Sequence, residues 1–189
     1  MRIYTALGDT GQTDLLGERV DKDDPRIDVL GALDETTSAI GLGRAHSQLD
    51  ATDERLATAQ RDLYKVMAEL AFTPELLPDR YRFEADRIAW LEAEIETVGA
   101  SVTLPREFVL AGETVAGAAI DVARAVARRA ERQAVALARA GAITNPEILR
   151  YLNRLSSLLF ILARAEDLHQ KGQVALAREG GSRSSPSPS

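Results

Sequence analysis

Apolar residues recur every three or four positions along five long stretches of this chain, the spacing of helices that bury one face. Ile27, Leu30, Leu33, Ile40 and Leu42 mark a helix over 26–47. Leu56, Leu63, Val66, Met67 and Leu70 mark a second over 52–72, which Phe72-Thr73-Pro74 ends. Ile88, Leu91, Ile95 and Val98 mark a third over 84–98. The fourth, 114–140, is rich in alanine, and Gly141 suits its C-terminal cap. Ile148, Leu152, Leu155, Leu159 and Leu162 mark a fifth over 145–171, with Gly172 beyond it. Asp23-Asp24-Pro25 reads as the start of the first helix, with proline in its first turn.

Residues 1–25 lack this period. Gly8, Gly11 and Gly17 stand among Thr and Asp there, which predicts a structured loop. The end of the chain, GGSRSSPSPS, has nothing to bury. The expected organisation is therefore an all-α fold: an N-terminal Gly-rich loop over 1–25, a five-helix bundle over 26–172 and a flexible tail over 173–189. An alanine-rich fourth helix implies close helix approach, inside the bundle or at a subunit contact.

Composition narrows the chemistry. At 189 residues and 45% apolar content, one packed core is expected. Only 5% of residues are aromatic, and the abundant Ala, Leu, Arg and Glu favour helix over sheet. There is no cysteine, so disulfides, thiol catalysis and Cys-based zinc sites are excluded. No apolar run approaches the ~18 residues of a membrane span, and the first residues carry no apolar signal core. A cytoplasmic location is expected, and the net charge of −6 gives no reason to expect nucleic acid.

Against that acidic background the fourth helix stands out. Residues 121–139 hold five arginines against Asp121 and Glu131. Arg124, Arg128, Glu131 and Arg132 fall on one helical face, with Arg129 beside them. Guanidinium groups grip phosphate oxygens through paired N–H donors, so the stripe suits a polyphosphate; taken alone, such a stripe is more often a solvated face of Glu–Arg pairs. Gly8-Asp9-Thr10-Gly11-Gln12-Thr13 could offer backbone N–H groups to phosphate, but it lacks the Gly-Lys-Ser/Thr ending of a P-loop. Asn153 and Arg154 interrupt an apolar helix, where a buried Asn would need a neighbouring helix or a ligand as partner. A di-iron site requires two Glu-x-x-His pairs. Glu166 and His169 form one, and Gly43 stands where His46 would need its glutamate, so that class is excluded.

Taken in order, these pieces resemble the PduO-type ATP:cob(I)alamin adenosyltransferases over residues 1–170. The resemblance rests on Arg2-Ile3-Tyr4-Thr5, on Gly8-Asp9-x-Gly11-x-Thr13, and on Gly17-Glu18-Arg19-Val20-x-Lys22-Asp23-Asp24. It continues through Leu33-Asp34-Glu35, Ile40-Gly41 and Phe108-Val109-Leu110. Its most specific parts are Val122-Ala123-Arg124, Arg128-Arg129-Ala130-Glu131-Arg132, Leu152-Asn153-Arg154-Leu155-Ser156 and Leu159-Phe160. It implies a homotrimer of five-helix bundles with active sites between subunits. The N-terminal loop of one subunit and the fourth helix of its neighbour would hold ATP, accompanied by Mg²⁺. By position, the ATP contacts would be Thr5, Gly8, Asp9, Gly11, Thr13, Lys22, Arg128, Arg129, Glu131, Arg132 and Asn153. Arg124 would pair with Asp34 across the interface on the corrinoid side, and Phe108 would lie under the corrin ring. Arg124, Arg128, Asp34 and Phe108 would then be the catalytic set. A corrinoid reductase and an acceptor mutase are implied partners. A non-catalytic carrier of ATP or corrinoid is the alternative function.

The chain departs from the family pattern at named places. Ala6 and Leu7 replace Lys and Thr, and Leu110-Ala111-Gly112-Glu113 replaces Leu-Pro-Gly-Gly. Thr36-Thr37 replaces Leu-Asn, Asp121 stands for His, and Ser157 stands for Asp.

Overall fold

The computed structural model describes residue 4, residues 6–104 and residues 107–177. Five helices form the bundle: α1 (Pro25–His46), α2 (Asp50–Ala71), α3 (Asp86–Ser101), α4 (Val115–Arg139) and α5 (Pro146–Lys171). All five expected helices are present. The third begins later than its apolar pattern suggests, because the backbone N–H of Phe83 donates to Glu69 at 2.5 Å and holds the chain there outside the helix. Among the described residues, no helix is long and apolar enough to cross a membrane.

The helix ends follow local chemistry. Asp24 caps α1 by accepting from the Arg26 N–H, and Pro25 follows it. Arg26 in turn donates to Asp24 and Glu18, and the Arg26 side-chain and backbone bonds to Asp24 hold its carboxyl below the usual carboxylate range. Thr114 caps α4 and Asn145 caps α5. Gly172, at φ 71°, closes α5 in the left-handed conformation that glycine adopts without strain. α2 has no side-chain cap of its own. The buried Glu166 of α5 instead ties down the turn that precedes α2. Its carboxylate accepts from Ser47 Oγ at 2.5 Å, from the Gln48 N–H at 3.1 Å and from the Leu49 N–H at 3.3 Å. Glu166, which resembled half of a metal motif, is thus a link from α5 to the α1–α2 turn.

α4 lies at the centre, packed on α1 and α5, while α2 packs on α1 and α3 on α5. Ala123, Ala127, Ala130 and Ala134 give α4 a fully buried spine of small side chains. The expected close approach therefore lies inside the bundle. Gly43 of α1 meets α4 so closely that a Cβ there would lie 2.8 Å from Ile120 Cγ1. Opposite, the buried Tyr151 hydroxyl donates to Asp62 at 3.0 Å, and Arg87 grips the same carboxylate at 2.8 Å through two nitrogens. Burial, and then the Asp62 charge, push the Tyr151 phenol well above its ordinary value. This trio joins α2, α3 and α5.

Two expectations change. The N-terminal segment is not only loop: β1 (Gln12–Leu15) and β2 (Glu18–Asp21) pair antiparallel, with Thr13 opposite Val20. The hairpin is anchored to the end of α2 by the Leu16 N–H to Ala71 O bond at 2.9 Å and the Thr73 N–H to Leu16 O bond at 3.1 Å. The expected tail is also partly fixed. The Leu110 N–H donates to Ala175 O at 2.9 Å and the Ala177 N–H to Phe108 O at 2.8 Å. Residues 178–189 lie outside the described residues.

Removing the Glu166 carboxylate leaves part-buried donors at Ser47, Gln48 and Leu49 without their acceptor. Glu166→Ala is expected to lower unfolding stability by roughly 1–2 kcal/mol in denaturant titration at fixed protein concentration. A loss below about 0.5 kcal/mol, the scale of an ordinary surface change, would contradict that link.

Candidate active site

The alanine spine turns the arginines of α4 outward, and they divide between two neighbours. Arg129 leans toward α1 and pairs with Glu35. Glu131 leans toward α5 and accepts from Asn153 Nδ2 at 2.9 Å. Asn153 is exposed, not buried as its apolar surroundings in sequence suggest, because it lies at the rim where α4 and α5 meet. Arg132 donates to the Arg128 carbonyl at 3.0 Å, and the Arg128, Arg129 and Arg132 side chains are all exposed. One turn-and-a-half of α4 thus presents three solvent-facing guanidiniums with a Glu–Asn pair beside them.

Arg128 and Arg124 also edge a cavity of about 400 Å³ between α3, α4 and α5. Its remaining wall is mostly apolar: Ile95, Gly99, Leu104, Phe160 and Ile161, with Ser156 and Ser157. A larger concavity of about 680 Å³ lies near the end of α2 and the α4–α5 turn. There Glu69 is bound to Asn145 and Phe83, and Arg26 to Glu18 and Asp24. The smaller cavity is the one edged by the arginines of α4.

Behind it lies a chain of buried charges. Arg124 Nε donates to Asp121 Oδ1 at 3.1 Å. Arg164, 1% exposed, donates to Asp121 Oδ2 at 2.5 Å and through Nε to Asp167 Oδ2 at 3.0 Å. The Thr114 hydroxyl donates to Asp167 Oδ1 at 2.9 Å while accepting from the Gly117 N–H. Gly117 is required here, since a Cβ would fall 2.1 Å from Asp167 Oδ1. Arg164, Asp167 and Thr114 were not singled out by sequence. The available signal was three charges within four residues, Arg164, Glu166 and Asp167, following an apolar stretch of α5.

The N-terminal candidates gather separately. Lys22 Nζ donates to the Gly8 carbonyl at 2.9 Å, and the Lys22 N–H to the Gly11 carbonyl at 2.8 Å. Arg19, unremarked as a single residue, donates to Leu7 O at 2.6 Å and to Asp14 at 2.8 Å, and so binds the loop to the hairpin. Asp9 bonds back to Ala6 O, and Ala6 holds φ 61°, a strained value for a residue with a Cβ. Thr13 lies in β1. Thr5 lies outside the described residues. Among the described residues, none of the hydrogen bonds of Gly8, Asp9, Gly11, Thr13 or Lys22 reaches α4. The structure therefore brings Arg124, Arg128, Arg129, Glu131, Arg132 and Asn153 together, and the loop residues together, as two groups within one chain.

Asp34 is exposed on α1, and Arg124 is bonded to Asp121 in this chain. Phe108 is 86% exposed, on the segment tethered to residues 175–177, and does not line the cavity. Among the described residues, no group of three or more His, Asp or Glu side chains is placed to hold a metal ion.

Comparison with known proteins gives this arrangement a context. A family model for cobalamin adenosyltransferases matches residues 3–166. A corrinoid adenosyltransferase PduO of Citrobacter freundii is 39% identical over 183 residues, which cover 95% of this chain but only 54% of that longer protein. A corrinoid adenosyltransferase of Bacillus subtilis (strain 168) is 37% identical over 169 residues, covering 87% of this chain and 86% of the relative. A similar solved structure is that of a Phe-to-Ala variant of the PduO-type ATP:corrinoid adenosyltransferase from Lactobacillus reuteri, complexed with cobalamin and ATP. It matches with a TM-score of 0.83 at 34% identity, over 94% of this chain and 100% of that one. The match runs through the hairpin, the arginine face of α4 and most of α5, and on that footing the chain belongs to the cobalamin adenosyltransferase family.

Proposed function

We propose that this chain transfers the 5′-deoxyadenosyl group of ATP to the Co(I) centre of a reduced corrinoid and releases triphosphate. The observation that carries this reading is the double placement of Arg128. It edges an apolar cavity together with Arg124, and it stands beside Arg129 and Arg132 on an exposed cationic face. A flat, largely apolar ring system and a polyphosphate are the two kinds of ligand such a junction accommodates.

Co(I) in this substrate is the nucleophile. Its electron pair forms the Co–C bond to the 5′ carbon, the C–O bond breaks, and the electron pair leaves with triphosphate. No protein nucleophile is needed, which agrees with a chain that has no cysteine and two histidines. The protein's share is orientation and charge. Holding the two reacting atoms in line is worth roughly 7–11 kcal/mol. Arg128, Arg129 and Arg132 would stabilise the charge gathering on triphosphate, with Mg²⁺ carried on the triphosphate oxygens. Glu131 and Asn153, already bonded to each other, would present one acceptor and one donor to the nucleotide. Gly8, Asp9, Gly11, Thr13 and Lys22, with Thr5, would complete its binding from the N-terminal side.

That completion requires a second subunit. The loop and the α4 face are separate within one chain, Asp34 is exposed, and the terminal nitrogens of Arg124 have no acceptor among the described residues. These features support a homotrimer in which each site joins the loop of one subunit to α4 of the next, with Asp34 meeting Arg124. Phe108, exposed and held by backbone bonds, would lie under the corrin ring and keep water off the cobalt. A corrinoid reductase and a mutase that accepts the product are the implied partners, in the cytoplasm.

The direct test mixes the protein with ATP, Mg²⁺ and chemically reduced cobalamin. Stoichiometric triphosphate release and the visible spectrum of a Co–C product are expected; binding of both substrates without triphosphate release would instead mark a carrier. Arg128→Ala is expected to lower kcat by about 10²–10³, the loss typical of one preorganised electrostatic contact, with the oligomer unchanged by analytical ultracentrifugation. Phe108→Ala is expected to slow turnover more strongly when cobalt must first be reduced from Co(II) than when Co(I) is supplied. Equal slowing of both would argue against the shielding role.

A further inference from the structure

The buried charges behind the cavity have a direction. Asp121 is almost fully enclosed, and it divides its two oxygens between two arginines of opposite exposure. One oxygen is held from behind by Arg164, which Asp167, Thr114 and the cap of α4 hold in turn. The other holds Arg124 by Nε alone. Arg124 is a third exposed and lines the cavity. A guanidinium fixed at Nε keeps both terminal nitrogens, and thus four N–H donors, for partners outside this network, the neighbouring subunit's Asp34 and the corrinoid side of the site. Arg164 reaches the same cavity a second way, since its guanidinium lies 5.4 Å from the ring centroid of Phe160, a wall residue. The network is therefore joined to the cavity at two points.

We infer that Asp121 is a positioning residue for the corrinoid half of the reaction: anchored by Arg164, it sets the rotamer of Arg124 before substrate arrives. This rests on the reading of Arg124 as part of the corrinoid side. Arginine has rotamer entropy to lose on binding, and a side chain already fixed at Nε has lost part of it in advance. The geometry also accounts for a carboxylate at 121. A residue placed between two guanidiniums, one of them fully buried, must accept from both.

The test is a double-mutant cycle on reduced cobalamin and ATP. Asp121→Ala leaves Arg164 paired with Asp167, so no lone buried charge is created. It is expected to raise the corrinoid KM by about tenfold, the effect of losing one charged, oriented contact, while the ATP KM stays within about twofold. Arg124→Lys, which has no Nε–H in that place, is expected to raise the corrinoid KM by itself. Asp121→Ala added to it should then change little more, within about twofold. Additive effects, or an ATP KM that climbs with the corrinoid KM, would show that Asp121 serves only the fold and would overturn the inference. An Arg124→Lys variant with the parent's corrinoid KM would instead sink the assignment of Arg124, and the role of Asp121 with it. Asp121→Asn, which keeps the shape and removes the charge, enters the same cycle should the alanine variant not fold. Spectral titration of cobalamin binding gives the same comparison without turnover.

Discussion

Everything in this protein depends on how closely α4 can be approached. Its inner face is reduced to alanines, which let α1 and α5 close on it from both sides. Dispersion contacts are individually tiny and need that proximity to accumulate. The same narrowness governs the outer face. A helix with small inward residues can spend its long side chains on the other side, and those are the arginines. Core packing and ligand-facing charge are thus two consequences of one helical period.

The second constraint is electrostatic. Charges buried within helical bundles are costly unless paired and hydrogen-bonded. Here each buried charge joins two elements. Glu166 fastens α5 to the turn before α2, Asp62 fastens α2 to α3 and α5, and Arg164 fastens α5 to α4. The apolar surfaces alone would allow the helices to slide past one another; these directional bonds fix their registration. The Arg164 group does this next to the candidate site.

The helices were legible because each repeats its apolar signal over several turns, and the arginine face was legible because its charge opposes that of the chain as a whole. The hairpin was not. Its strands are four residues each, only Val20 among them is buried, and no alternation announces them. The role of Asn153 was half legible: its type and position were informative, but its exposure depends on where α5 crosses α4. The bond between Asp121 and Arg164 was not legible for a related reason. Asp121 and Arg164 lie 43 residues apart, and no local pattern links them. The link between the loop and α4 was implied by family resemblance alone, since within one chain the two groups do not touch.

The tether between residues 108–110 and 175–177 has a different kind of consequence. It is made by backbone atoms, so it places almost no demand on side-chain identity. Sequences of this strap could diverge freely while the contact persisted, and residue-by-residue comparison would pass over it. The demand it does make is for the donors at positions 110 and 177, which rules out proline at both. A truncation or fusion that cuts between the last helical turn and residue 177 would remove one side of the tether.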